Sequence, residues 1–145
     1  MSEKMYAELA LKLECNVGEG PFWDDVKQDL YFVDIMNKQI KMFSLTSKLV
    51  ETVQFNQEIG AVFLDQKSNL IVAARDGIFA ATRDGVLDTL LAPIELEDTS
   101  IRTNDAKCDA YGRMWVGTMA FDFTPGAAAL FSFDSKDLKK VVPDL

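Results

Sequence analysis

Glu19 sits in the run Gly18-Glu19-Gly20-Pro21-Phe22-Trp23, and far downstream Arg102 and Asn104 occur in Arg102-Thr103-Asn104-Asp105. A glutamate gripped by glycine and proline at the mouth of a strand can be aimed inward, where a bound cation offsets its desolvation. The plain alternative is a solvated turn residue. Arginine brings a rigid fork of donors, and asparagine both a donor and an acceptor. Here the plain alternative is a loop turn in which Asp105 bonds its own backbone. The 145 residues contain no histidine, which excludes Ser-His-Asp and Cys-His nucleophile systems built within this chain. It also excludes zinc sites made from histidine, and two cysteines cannot replace them. Any metal chemistry must use carboxylate, amide oxygen and water, the ligands of hard divalent cations.

A carboxylate and an Arg/Asn pair so far apart can share one site only if equivalent strands meet around a common axis. The intervening sequence has the grammar for that. Asp25-Val26-Lys27-Gln28-Asp29, Asp65-Gln66-Lys67-Ser68-Asn69 and Asp109-Ala110-Tyr111-Gly112-Arg113 each run from an aspartate through a polar turn into an apolar strand. They recur at about 40–45 residues, the period of a propeller blade. Each unit continues through a turn to a third strand (40–45, 78–82 and 129–133) and a fourth (49–53, 86–91 and 138–142). Asp-Gly and Asn-Lys steps between apolar runs suit hairpins because these residues tolerate positive φ. Four antiparallel strands per unit describe one blade. A β-sandwich would share the short strands without predicting the recurring aspartate. Helix is limited to a short turn at residues 95–99. The fold class is therefore all-β, with about three blades of a propeller.

Asp25, Asp65 and Asp109 read as turn residues, since they repeat in every unit and a catalytic group should not. Trp23, Trp115, Phe32 and Phe131 read as core between blades. Lys107 and Cys108 have no neighbouring base that would make a nucleophile. Propellers close with typically 4–8 blades. Three blades leave Phe22, Trp23, Phe63 and Trp115 short of partners, and exposed apolar faces of that kind favour self-association.

Hydrophobic residues make up 48% of the chain and charged residues 26%, the balance of a globular domain. A net charge of −8 argues against a nucleic-acid partner and is compatible with attracting a divalent cation. Met1-Ser2-Glu3-Lys4-Met5 leads into no apolar stretch of signal or membrane-span length, so no membrane partner is expected. With Cys15 and Cys108 read as reduced, the expected location is cytoplasmic.

The motifs quoted, together with Leu30-Tyr31-Phe32-Val33-Asp34-Ile35, Ala106-Lys107 and Gly112-Arg113…Gly117-Thr118-Met119, resemble the regucalcin (senescence marker protein 30), gluconolactonase and luciferin-regenerating-enzyme family. The resemblance runs in order along essentially the whole chain. It implies a six-bladed β-propeller of about twice this length, of which residues 1–145 would be the N-terminal half, a single incomplete domain. It implies hydrolysis of a small sugar lactone with one divalent cation (Ca, Zn, Mn or Mg) at the axis. Glu19 matches a metal-ligand position, and Arg102 and Asn104 match substrate-contacting ones. Asp122, three residues after Met119, falls where members often carry an acidic group for substrate hydroxyls. Thr103 departs from the larger apolar residue of some relatives, with expected consequences for pocket shape. In this family the cation polarises the lactone carbonyl and a carboxylate activates water. The remaining ligands, an Asn and an Asp that also serves as acid/base, come from later blades. No catalytic residue is therefore assigned within the chain, which alone should be inactive. The alternative is a non-catalytic calcium-binding or regulatory half-propeller that self-associates.

Overall fold

The computed structural model describes residues 5–96 and 98–145. Its strands are β1 (Gly18–Asp24), β2 (Asp29–Asp34), β3 (Gln39–Ser44), β4 (Val50–Gln54), β5 (Ile59–Leu64), β6 (Leu70–Ala74), β7 (Gly77–Ala81), β8 (Leu87–Pro93), β9 (Ile101–Cys108), β10 (Met114–Ala120), β11 (Leu130–Phe133) and β12 (Leu138–Val142). They form three four-stranded antiparallel sheets in sequence order, β1 to β4, β5 to β8 and β9 to β12. The first strand of each lies innermost, so the sheets are three successive propeller blades. No helix occurs among the described residues. The turn expected at 95–99 includes Glu97, which lies outside the described residues.

The blades are held by apolar side chains meeting between sheet faces. Tyr31, Val33, Ile40, Ile59, Leu70 and Val72 close the first junction; Phe63, Ile78, Ala92, Val116 and Phe131 close the second. Phe22 touches both clusters, edge-to-face with Tyr31 at 6.2 Å and with Phe63 at 6.0 Å. Such ring pairs add about 0.5–1.5 kcal/mol beyond area burial. Arg83 reaches back across the first junction to donate to the Tyr31 hydroxyl at 3.1 Å. In the middle blade β5 is buried along nearly its whole length, because both of its faces are covered. In the third blade β10 alternates strictly, with Met114, Val116, Thr118 and Ala120 turned inward.

Two expectations need correction. Trp23 is 44% exposed rather than core, because strand alternation sends Phe22 to the hub and Trp23 to the opposite face. There it borders a cleft of about 700 Å³ with Leu9, Leu13, Leu30, Phe32 and Phe43. Asp25 lies in the first blade's turn as expected, but the aspartate that caps that turn is Asp24: its Oδ1 accepts from the N–H groups of Val26 and Lys27 at 3.0 and 3.1 Å. Asp65 and Asp109 play that part in the other blades, accepting from Lys67 and Asn69 and from Tyr111 and Arg113. These bonds hold each β-hairpin turn in place of water.

Candidate functional site

Each inner strand breaks its ladder once. The pairing shifts between Glu19 and Phe22 in β1 and between Ile59 and Ala61 in β5, and in β9 at the residues opposite Val116 to Thr118. Bulges re-aim side chains, and here they bring Gly20, Gly60 and the Asn104-Asp105 pair to the places where inner strands approach. A Cβ on Gly60 would lie 2.2 Å from the Asn104 carbonyl oxygen, so only glycine lets β5 and β9 come this close. Thr103 is fully buried, and its hydroxyl lies 3.1 Å from the carbonyl oxygens of both Ala73 and Ala74. Thr103 therefore ties β9 to β6 and sets blade spacing. Lys107 makes a similar span, donating to the Pro21 carbonyl at 3.3 Å.

These constraints gather charge at the N-terminal ends of the inner strands. Arg102 is 5% exposed, and its Nη1 donates to the Thr103 carbonyl and to Asn104 Oδ1, both at 2.8 Å. Its Nε is buried without a partner. Burial pushes the guanidinium pKa down, and the nearby carboxylates of Glu19 and Glu58 pull it back up. Arginine remains a cation in any such setting. The structure thus brings Glu19, Arg102 and Asn104 together. Glu19 is half-buried, and its carboxylate makes no hydrogen bond among the described residues. Asp105, by contrast, accepts from the N–H of Ala106 at 2.8 Å, a local backbone bond.

Glu58 was not singled out by the sequence reading. It pairs with Lys38 at 3.6 Å and faces Arg102. A signal existed: Glu58 shortly precedes the bulge Gly60, much as Glu19 precedes Gly20. Phe121 was also missed. Its ring lies 5.7 Å from the Arg102 guanidinium carbon and 5.8 Å from that of Arg75. Arg75 in turn donates through Nη2 to the Thr99 carbonyl.

Asp122 sits one residue beyond Phe121 and is exposed. Its Oδ1 accepts from the Thr124 hydroxyl at 2.7 Å and the Thr124 N–H at 3.0 Å, and these bonds lower its pKa. It lines a cleft of about 350 Å³ with Asp98, Ser100, Thr118 and Thr124, so the structure places it beside the Glu19–Arg102–Asn104 group rather than within it.

The donors can be weighed against a hard divalent cation, which takes six or more oxygens. Glu19 offers a free carboxylate, whereas Glu58 is engaged by Lys38 and the Asn104 oxygen by Arg102. Among the described residues no three His, Cys, Asp or Glu side chains are grouped to hold one ion. The set fits one ligand of such a site and does not complete its shell. Neither cysteine is activated: burial raises the pKa of both Cys15 and Cys108, and nearby Asp34 and Asp109 raise them further.

Comparison with known proteins gives a consistent picture. Residues 17–145 match the family model described as the SMP-30/Gluconolactonase/LRE-like region. YvrE of Bacillus subtilis (strain 168), named for a sugar lactone lactonase, is 34% identical over 128 residues, covering 88% of this chain and 44% of that protein. Human regucalcin is 30% identical over 139 residues, covering 92% of this chain and 46% of its own. The crystal structure of regucalcin from Agrobacterium tumefaciens, described as a calcium-binding protein, superposes with a TM-score of 0.87 at 25% identity over 94% of this chain and 46% of that one. The chain thus spans less than half the length of these relatives.

Proposed function

Because the chain belongs to the SMP-30/gluconolactonase/LRE-like family, we propose that it supplies the substrate-reading half of a divalent-metal-dependent sugar lactone hydrolase. The observation that carries this reading is the convergence of Glu19, Arg102 and Asn104 from two blades at one end of the inner strands. Arg102 and Asn104 present directed donors and an acceptor to a polyhydroxylated ring. Glu19, its carboxylate unbonded and half-buried, is the one among the described residues there free to face a cation (calcium, zinc, manganese or magnesium) whose role would be Lewis-acid polarisation of the lactone carbonyl. Asp122 belongs to the rim of this reading. Its Oδ2 makes no hydrogen bond among the described residues and is open to a sugar hydroxyl. Residues 1–145 then form one incomplete, cytoplasmic domain without a general base of its own, and the chain by itself is inactive.

A second reading, a calcium-binding or regulatory half-ring that pairs with another copy, rests on the apolar cleft beside Trp23. The test is calorimetric titration of the chain with calcium and with a stable sugar ring, beside a pH-stat assay on glucono-1,5-lactone with each cation. Weak, Glu19-dependent calcium binding, sugar binding and no turnover are expected. Turnover by this chain at an enzyme's ordinary rate would overturn the half-site. A stable dimer that binds calcium but no sugar would favour the second reading.

A further inference from the structure

We propose that two copies of this chain pair head to tail, the free face of the third blade in one copy seated on the free face of the first blade in the other. The inference rests on the self-pairing half-ring for its partner, adds which faces meet, and is independent of any sugar or cation. Three sheets in a row leave one free face at each end. Position by position, those two faces are the halves of a junction that the chain already builds twice. Leu30 and Phe32 of β2 stand where Leu70 and Val72 stand in β6 and Met114 and Val116 in β10, and the last four are packed against the preceding blade. Trp115 and Gly117 of β10 stand where Tyr31 and Val33 stand in β2 and Ile71 and Ala73 in β6, which pack against the following blade. Strand alternation then fills out each free face. On the first blade Trp23 pairs with Leu30 and Leu30 with Phe43; on the third Gly117 pairs with Leu130 and Leu130 with Val142.

A second copy is the occupant that these faces fit, because every copy carries both halves of the junction in equal number. The first blade's free face is not flat. Residues 8–15 run over it and bound with it the apolar cleft of about 700 Å³ that Trp23, Leu30 and Phe32 line. Along that segment Leu9, Leu11 and Leu13 alternate with Glu8, Lys12 and Glu14 in strand fashion, and Leu9 is 80% exposed. Area also favours the pairing. Four strands of about 17–20 Å, spaced about 4.8 Å apart, give roughly 350 Å² per face. Two contacts, counted on both partners, remove roughly 1,400 Å², within the range of about 1,200–2,000 Å² that stable specific interfaces bury. Around a twofold axis each face of one copy meets the complementary face of the other, so no face is left over and growth stops at the pair. Three blades from each copy then make a closed ring of ordinary size.

The test is analytical ultracentrifugation of the chain without ligand, with tryptophan emission recorded alongside. At micromolar concentration the expected species has twice the mass of one chain. Its emission should shift to the blue as concentration rises, because pairing covers Trp23, which is 44% exposed in the single chain. Phe32→Lys on one face and Leu130→Glu on the other should each weaken pairing at least about tenfold. The two variants mixed should pair again, since one contact is then unaltered and the other opposes lysine to glutamate. Circular dichroism of each variant separates lost pairing from lost folding. A parent chain that stays single at about 100 µM overturns the proposal and leaves these faces to blades of another protein. Open polymers that grow with concentration overturn the closed pair. A pair that survives either substitution, or folded variants that stay single when mixed, overturns the head-to-tail arrangement. None of these outcomes bears on sugar binding, so the lactone reading stands or falls separately.

Discussion

The inner strands β1, β5 and β9 end in chemically opposite ways. At their C-terminal ends Asp24, Asp65 and Asp109 sit in hairpin turns with their oxygens occupied by backbone N–H groups. At their N-terminal ends Glu19 is unbonded, Arg102 carries an orphaned Nε, and Arg75 and Arg102 crowd one ring. Both ends are rich in charge, but only one has its charges answered from within the chain. A satisfied carboxylate that recurs in every blade is architecture. A buried donor left unanswered is costly, and its presence sets this end apart from the turns.

The largest effect should come from the point where β5 and β9 are held together at the site end. Gly60→Ala pushes a Cβ into the Asn104 carbonyl at 2.2 Å and the Thr103 hydroxyl at 2.8 Å, and backbone cannot swing aside as a side chain can. A loss of about 3 kcal/mol in urea denaturation is expected, with weakened ligand binding besides. Unchanged stability would mean that β5 and β9 are not held at this distance.

The turn end is tested by acid. Partial desolvation raises the pKa of Asp109, but the Trp115 indole, the Arg113 guanidinium and the N–H groups of Arg113 and Tyr111 reverse this and bring it to about 2. A depressed carboxylate contributes stability above its unfolded pKa, about 3.9, and loses it as pH falls through the folded value. Thermal melts of Asp109→Asn should therefore show a lower Tm at neutral pH and a shallower decline between about pH 4 and pH 2. Parallel declines in the two proteins would show that the turn bonds do not depend on ionised Asp109.

The contrast between the ends was unevenly legible in the sequence. Strands and blades could be read because hydrophobic alternation and turn chemistry are local, and Asp65 and Asp109 fall where the period puts them. The first blade's turn was placed correctly, but its capping aspartate was taken one residue late, because adjacent Asp24 and Asp25 are equivalent to a pattern and only hydrogen bonding distinguishes them. Glu19, Arg102 and Asn104 were visible through their motifs. Glu58 and Phe121 were not, since their part depends on the meeting of different blades.

Arg102→Met sharpens the comparison from the site end. It removes an unsatisfied buried donor but strands both the Thr103 carbonyl and the Asn104 oxygen, so stability should fall by about 1–2 kcal/mol, less than for Gly60→Ala. Sugar binding should fall more than about tenfold. A stability loss as large as that of Gly60→Ala would move Arg102 to the architectural side.

The smallest structural effect belongs to Glu19→Gln. No hydrogen bond among the described residues holds the Glu19 carboxylate, and glutamine keeps its size, so the urea midpoint should stay within about 0.5 kcal/mol of the parent. The charge is another matter. Without it the N-terminal ends of the inner strands lose the Glu19 carboxylate, and Arg102 loses one of its two acidic neighbours among the described residues. Calcium titration should then show no binding at this site, with stability unchanged. A joint loss of calcium binding and stability would show that Glu19 holds the loop in shape, and would erase the distinction drawn between the two ends of β1.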